Sequence, residues 1–414
     1  MKYIYKLLLV LMLLITNVPV LSATDEEKPI DKNSIEINSD SIVLIDMNTM
    51  NILYEKNGDK KAAPASITKM LANLVAVNIL DLEKMYTVTK EAIDNVPANS
   101  ARLWLTYDEK VKGIELVNSS LIASANDSTH VLAVASKGTQ EAFCDEMNKY
   151  VQSYGLKNTH FSNPSGLIED EHYTTAKDFA VIATHVFEND LLTSIMGTNY
   201  YEMNPTNKME EKRKFVNGHP LVKHGPDTYE YIVGGKTGWD GANNYTMVSY
   251  AKKDNLNLLV VSLNGNTRKD VTEDHMTLFN YGFSNYKTIK INKDTIEPIN
   301  KEYYKGKYLD SIVNLELEND LNILVDYNVK DYDVKTEVVI SDEESLDTIK
   351  GIIKVSIKGN YVGDIELKKT IESFDVSFSN TILKDIINII NMITIGILFM
   401  FIALAINKFI IKKV

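Results

Sequence analysis

The chain has 414 residues, 44% hydrophobic and 24% charged, an ordinary globular composition with enough length for two folded units. Its formal net charge of −12, and the lack of any glycine-rich phosphate cradle, argue against nucleic-acid and nucleotide partners. A single cysteine, Cys144, excludes an internal disulfide and is expected to be a buried apolar side chain. Seven scattered histidines without ligand spacing predict no metal, and nothing points to a cofactor.

Lys2 and Lys6 precede an apolar run over 7–15, and Leu21-Ser22-Ala23 offers a small-residue cleavage site. Residues 1–23 therefore read as a secretory signal, with an uncleaved anchor as the alternative, and 24–35 as a linker. Residues 37–57 predict a hairpin, with strands at 41–46 and 51–55 and a turn at 47–49. From 66 to 189 the pattern is mostly helical, with amphipathic runs at 68–80, 113–125 and 128–155. Strand character returns at 231–238, 244–252 and 257–264, and a helix over 269–281 closes the unit. Strands from both ends with helices between them predict an α+β domain over 36–286: an antiparallel sheet with an inserted helical subdomain.

Beyond Tyr286 the runs at 313–317, 334–340, 352–357, 362–367 and 374–378 are short and β-rich. With a hairpin signal at Lys358-Gly359-Asn360, they predict a small all-β stalk domain over 292–379. Residues 386–407 are about long enough to cross a hydrocarbon core, and Lys408, Lys412 and Lys413 follow. A single-pass helix is expected there, with the body on the outer face of the cell membrane and a cytoplasmic tail over 408–414. A helix lying in the interface is the alternative, because Lys384, Asp385, Asn388 and Asn391 give its start a polar face.

Three short segments carry chemistry. Ser66-Ile67-Thr68-Lys69 opens a helix, so the serine sits at the N-terminus with the lysine one turn later on the same face. A serine hydroxyl needs a base within reach, and a neutral lysine amine can serve. An N-cap serine beside a surface lysine would read the same way. Ser124-Ala125-Asn126 ends an apolar helix, which a simple helix boundary also explains. Lys236-Thr237-Gly238 lies on a strand beside Gly234-Gly235, where glycines permit a substrate backbone to come close; an edge-strand lysine that blocks aggregation is the plainer reading.

In this order the three segments follow the S-x-x-K, S-x-N, K-T-G signature of penicillin-binding proteins and β-lactamases. The runs Pro64–Lys69, Ser124–Asp127, Gly155–Leu167 and Gly234–Trp239 resemble the D-alanyl-D-alanine carboxypeptidase family, the low-molecular-mass penicillin-binding proteins. The resemblance covers residues 36–286 and extends to the stalk and C-terminal anchor. It implies a β-lactamase/transpeptidase-like fold and serine peptidase activity on peptidoglycan stem peptides, with β-lactam antibiotics as inhibitors. It assigns Ser66 as nucleophile, Lys69 as its base, Ser124 as proton relay to the leaving amine, and Asn126 as the residue that positions the substrate amide. Lys236, Thr237, Gly238, Trp239 and Arg268 would bind substrate. Thr237 and Arg268 would take its terminal carboxylate, and the N–H groups of Ser66 and Trp239 would form an oxyanion hole.

Trp239-Asp240 and Ala242-Asn243-Asn244 depart from the family's usual Tyr-Thr and later Ala-Gly, and 95–113 matches loosely. A β-lactamase, and a silent membrane protein that binds wall peptides, are the competing readings. The first would need a deacylating glutamate, and Glu169 and Glu171 lie in the relevant region without the expected E-x-x-x-N pattern.

Overall fold

The computed structural model describes residues 29–373 and 387–393, except 95, 224, 242, 243, 307, 342–345 and 347. The chain divides into two compact units, with the boundary between Lys287 and Thr288.

The first unit is built on a five-stranded antiparallel sheet. Its strands are β1 (Ser41–Asp46), β2 (Ile52–Lys56), β3 (Ile232–Trp239), β4 (Tyr245–Lys253) and β5 (Leu256–Gly265), in the order β2-β1-β5-β4-β3. Every residue of β1 is buried because helices cover both faces of the sheet. The longer inserted helices are α1 (Lys69–Ile79), α2 (Gly113–Ile122), α3 (Asn126–Lys137), α4 (Gln140–Ser153), α5 (Ala176–Phe187) and α6 (Asp190–Met196). Val43, Ile45, Leu259 and Val261 join the core beneath them. With period two, Leu44 and Leu258 turn to the other face, against α7 (Arg268–Asn285). There a Cβ on Gly282 would stand 2.5 Å from Leu258 Cδ1, so the helix lies close to the sheet.

Two expectations change in detail. The run at 128–155 is two helices, because Gly138 adopts φ +85° and Thr139 caps α4 by accepting from the Ala142 N–H. The 68–80 run is not amphipathic in place: Lys69 through Ala76 are all buried, as befits a helix enclosed on every side.

In the second unit the strands Ile299–Lys305, Tyr308–Glu316 and Lys368–Ser373 form one sheet, and Val334–Ile340, Gly351–Ile357 and Asn360–Glu366 another. A shared cluster that includes Val313, Leu315, Ile349 and Ile353 packs between their elements. Lys358 and Gly359 both have positive φ, the geometry of a tight hairpin turn. Among the described residues no helix is long and apolar enough to cross a membrane. The expected signal at 1–23, the run at 374–378 and most of the 386–407 span lie outside the described residues.

Candidate active site

Ser66 sits in a 3-10 turn, Ala65–Thr68, that leads into α1. Ala65 before it has φ +48°, a left-handed conformation that an alanine adopts only when its surroundings enforce it. Its carbonyl packs against Gly166, where a Cβ would fall 1.8 Å from the Ala65 oxygen. One turn on, Lys69 is fully buried, with Nζ 2.8 Å from Ser66 Oγ and 2.6 Å from the Ser165 carbonyl oxygen. Burial holds its pKa well below the ordinary lysine value, and Lys236 nearby pushes the same way against the opposing pull of Asp127. Asn73, one turn further along α1, donates to the Lys69 carbonyl and to Ser120.

Ser124 lies between α2 and α3, with φ +58°. The Ala123 and Ala125 N–H groups both return to the Ser119 carbonyl, so a left-handed residue closes the end of α2. Asn126 opens α3, its N–H bound to the Ala101 carbonyl, while its buried Oδ1 has no partner among the described residues. Asp127 beside it accepts from the N–H groups of Leu103 and Leu105 and so pins the 101–105 segment.

Strand β3 brings the third segment to the sheet edge. Lys236 is buried, and its Nζ donates to Ser124 Oγ and to the Thr237 carbonyl, each at 2.9 Å; burial brings its pKa down to about 7. Gly238 has no side chain because a Cβ there would stand 2.7 Å from the Ser66 nitrogen. Gly235 corrects a sequence expectation. A Cβ on it would meet His219 Nε2 at 2.4 Å, so a protein imidazole, not a substrate backbone, uses that space. Gly234 is likewise pressed against Gly197 and Met196.

These segments meet at one cavity of about 920 Å³, whose lining includes Ser66, Ser124, Asn126, Thr237, Trp239 and Arg268. Trp239 is 56% exposed and stacks on Tyr245, forming part of the wall. Arg268, the first residue of α7, donates from Nη2 to the Gly218 carbonyl at 2.7 Å.

The sequence reading gave no role to Ser165, Asn163, His130 or Asp127. Asn163 Oδ1 accepts from the N–H groups of Ser165, Gly166 and Leu167, and His130 Nε2 lies 2.9 Å from Ser165 Oγ. Together they hold the carbonyl that Lys69 uses. The signal available was Asn163-Pro164-Ser165-Gly166, an Asn-Pro turn ending in a glycine that here has φ +85°. Cys144 is buried in the helical subdomain, and burial pushes its thiol up to about 12.

A serine bound to an enclosed lysine one turn on, lining a cavity together with a second serine that a buried lysine holds, is the arrangement of a serine hydrolase of the penicillin-binding class. More particularly, the chain belongs to the peptidase S11, D-alanyl-D-alanine carboxypeptidase, family, whose model matches residues 24–267. It is 30% identical over 353 residues to D-alanyl-D-alanine carboxypeptidase DacF of Bacillus subtilis, spanning 85% of this chain and 88% of that protein. It is 30% identical over 277 residues to the carboxypeptidase DacA of Haemophilus influenzae, with 66% and 68% covered. The structure of penicillin binding protein 5 from Haemophilus influenzae superposes with a TM-score of 0.69 at 26% identity, over 81% of this chain and 97% of that one.

Proposed function

We propose that this enzyme is a serine-type D-alanyl-D-alanine carboxypeptidase that removes the terminal D-alanine of peptidoglycan stem peptides through an acyl-enzyme on Ser66, and that β-lactams acylate the same residue. The observation that carries the reading is the fully buried Lys69 amine, 2.8 Å from Ser66 Oγ. Neutral Lys69 takes the hydroxyl proton as Oγ attacks the carbonyl between the two D-alanines. The oxyanion falls to the N–H groups of Ser66 and Trp239, and the close packing of Gly238 on the Ser66 nitrogen supports that geometry. Collapse of the tetrahedral adduct breaks the C–N bond, and Ser124, held by Lys236, relays the proton held on Lys69 to the departing amine, which leaves Lys69 neutral again. Water then attacks the ester, giving a proton to neutral Lys69, and the adduct collapses with return of that proton to Ser66 Oγ. Asn126 Oδ1, buried without a partner, is suited to accept an N–H from the bound peptide. Lys236 adds positive charge, and Thr237 and Arg268 supply donors for the terminal carboxylate.

A free carboxylate needs such donors, and an internal peptide bond has none to offer them. Amidating the substrate's terminus is expected to lower kcat/KM about 10- to 100-fold, the scale of one charge-assisted contact. The check is D-alanine release from paired free-acid and amidated peptides; equal rates would remove the carboxylate role. Glu169 and Glu171, the carboxylates a β-lactamase reading would call on, do not line the cavity.

The membrane arrangement belongs to the same proposal: a signal at 1–23, a 36–286 catalytic domain on the outer face, a 292–379 stalk and a single-pass helix at 386–407. Its support is the apolar C-terminal run followed by lysines. A chain ending at Thr381 is expected to be secreted in soluble, active form. Tight membrane association of that truncation, read by fractionation, would point to an N-terminal anchor instead.

A further inference from the structure

Against Gly235 of β3, a row of buried polar side chains has no part in the reaction scheme above. His219 Nε2 lies 3.1 Å from the Val248 carbonyl oxygen and 3.0 Å from Ser249 Oγ. Ser249 Oγ is 2.8 Å from His275 Nδ1, and His275 Nε2 is 2.8 Å from Ser262 Oγ. All four residues are at most 1% exposed. Burial lowers the His219 pKa to about 3 against the raising effect of its Val248 hydrogen bond, with Lys236 and Arg268 adding to the fall, and burial holds His275 well below the ordinary value.

A carbonyl only accepts, so His219 carries its proton on Nε2 and donates it to Val248. The Ser249 hydroxyl then finds its acceptor in His275 Nδ1, which leaves His275 Nε2–H to donate to Ser262. The row therefore joins four separate pieces of chain: the 217–219 segment, β4, α7 and β5.

Two of those pieces carry the carboxylate corner. Arg268 and His275 lie seven residues apart on α7, about two turns along one face, and Thr272 Oγ1 donates to the Arg268 carbonyl between them. The Arg268 guanidinium is also held by the carbonyl of Gly218, the residue before His219. A Cβ on Gly218 would stand 3.6 Å from Thr237 Oγ1, so this segment lies alongside Thr237. Asn217 braces its other end, accepting from the His219 N–H and donating to the Met196 and Thr198 carbonyls.

We infer that His219 is a positioning residue for substrate recognition: through Ser249, His275 and Ser262 it locks α7 and the 217–219 segment to the sheet, so that Arg268 and Thr237 stand preformed around the substrate's terminal carboxylate. The inference rests on the carboxylate role given to those two residues under the proposed function. Preforming the corner removes an ordering cost that each binding event would otherwise bear.

The test measures D-alanine release from one peptide sequence with a free or an amidated C-terminus, using the wild type, His219→Leu and His219→Gln. His219→Leu is expected to lower kcat/KM about 10-fold on the free acid, chiefly through KM, and to leave the amidated peptide within about twofold. His219→Gln retains an amide N–H able to reach the Val248 carbonyl and is expected to recover most of the loss. Should His219→Leu not fold, Ser249→Ala interrupts the row with little volume change, and an approximately threefold loss confined to the free acid is expected. Equal losses on both peptides would reduce His219 to a general packing role and overturn the inference. Unchanged free-acid kinetics in a folded variant would overturn it too. A wild-type enzyme that does not prefer the free acid would instead sink the carboxylate reading itself.

Discussion

Lys69→Ala is expected to stop acylation of Ser66 almost as completely as Ser66→Ala, with losses on the scale of about 10⁶ that members of one catalytic unit show. The lysine has no other visible task. It is fully buried, and among the described residues its amine meets Ser66 Oγ and the Ser165 carbonyl. Lys69→Met, which nearly keeps the volume, should be as inactive as Lys69→Ala while losing about 1–3 kcal/mol for the unpaired Ser165 carbonyl, so loss of the amine and loss of packing separate. The protonation argument has a definite sign. Burial and Lys236 depress the Lys69 pKa, so the amine is a cation below that value and a base above it, and wild-type acylation should rise with pH through it. The measurement is the rate of covalent labelling by a tagged penicillin. Retention of more than about a tenth of the wild-type rate by Lys69→Ala would move the base elsewhere.

Gly166→Ala is the second large effect, and it acts by displacing the turn that carries the nucleophile. Gly166 has φ +85°, and an added Cβ would fall 1.8 Å from the Ala65 carbonyl oxygen and 3.0 Å from the Ser66 nitrogen. Either the turn that carries Ser66 or the segment that presents the Ser165 carbonyl has to move. Displacements of about 1 Å at a reacting centre cost on the order of 10²-fold in rate, and overpacking of this kind costs about 1–3 kcal/mol in stability. Penicillin labelling should therefore slow by about that factor, with a lowered melting temperature. Labelling at the wild-type rate would show that the Asn163–Leu167 turn does not set the position of the serine.

Much of the sheet was legible because alternation is a local property. The β1–β2 hairpin and the three later strands fall within a residue or two of their expected limits. Helix limits were read less well where a single glycine decides them. Gly138 breaks a run whose apolar spacing continues on both sides, and the cue was the Gly-Thr pair that ends one helix and caps the next. Burial on all sides of α1 could not be read from its own residues, since it depends on α2, α3 and α5 packing around it.

At the site, the spacing of Ser66 and Lys69 is local and was visible. The partners that give them meaning are not: the Ser165 carbonyl is 96 residues from Lys69, and Ser124 is 112 from Lys236. Gly235 is the clearest misreading, because a glycine in a strand announces close approach without saying by what. Here the approaching group is His219, whose place beneath β3 depends on a segment that precedes the strand and carries no periodic signal.

The central claim is that Ser66 carries the acyl group in both the peptidase reaction and penicillin binding. Peptide mapping by mass spectrometry of the penicillin-treated enzyme tests it directly, alongside D-alanine release from a pentapeptide ending in D-Ala-D-Ala. The account expects one persistent adduct, on the peptide that contains Ser66, and free D-alanine from the untreated enzyme that disappears once the adduct has formed. An adduct on another residue, or rapid penicillin turnover without D-alanine release, would contradict it.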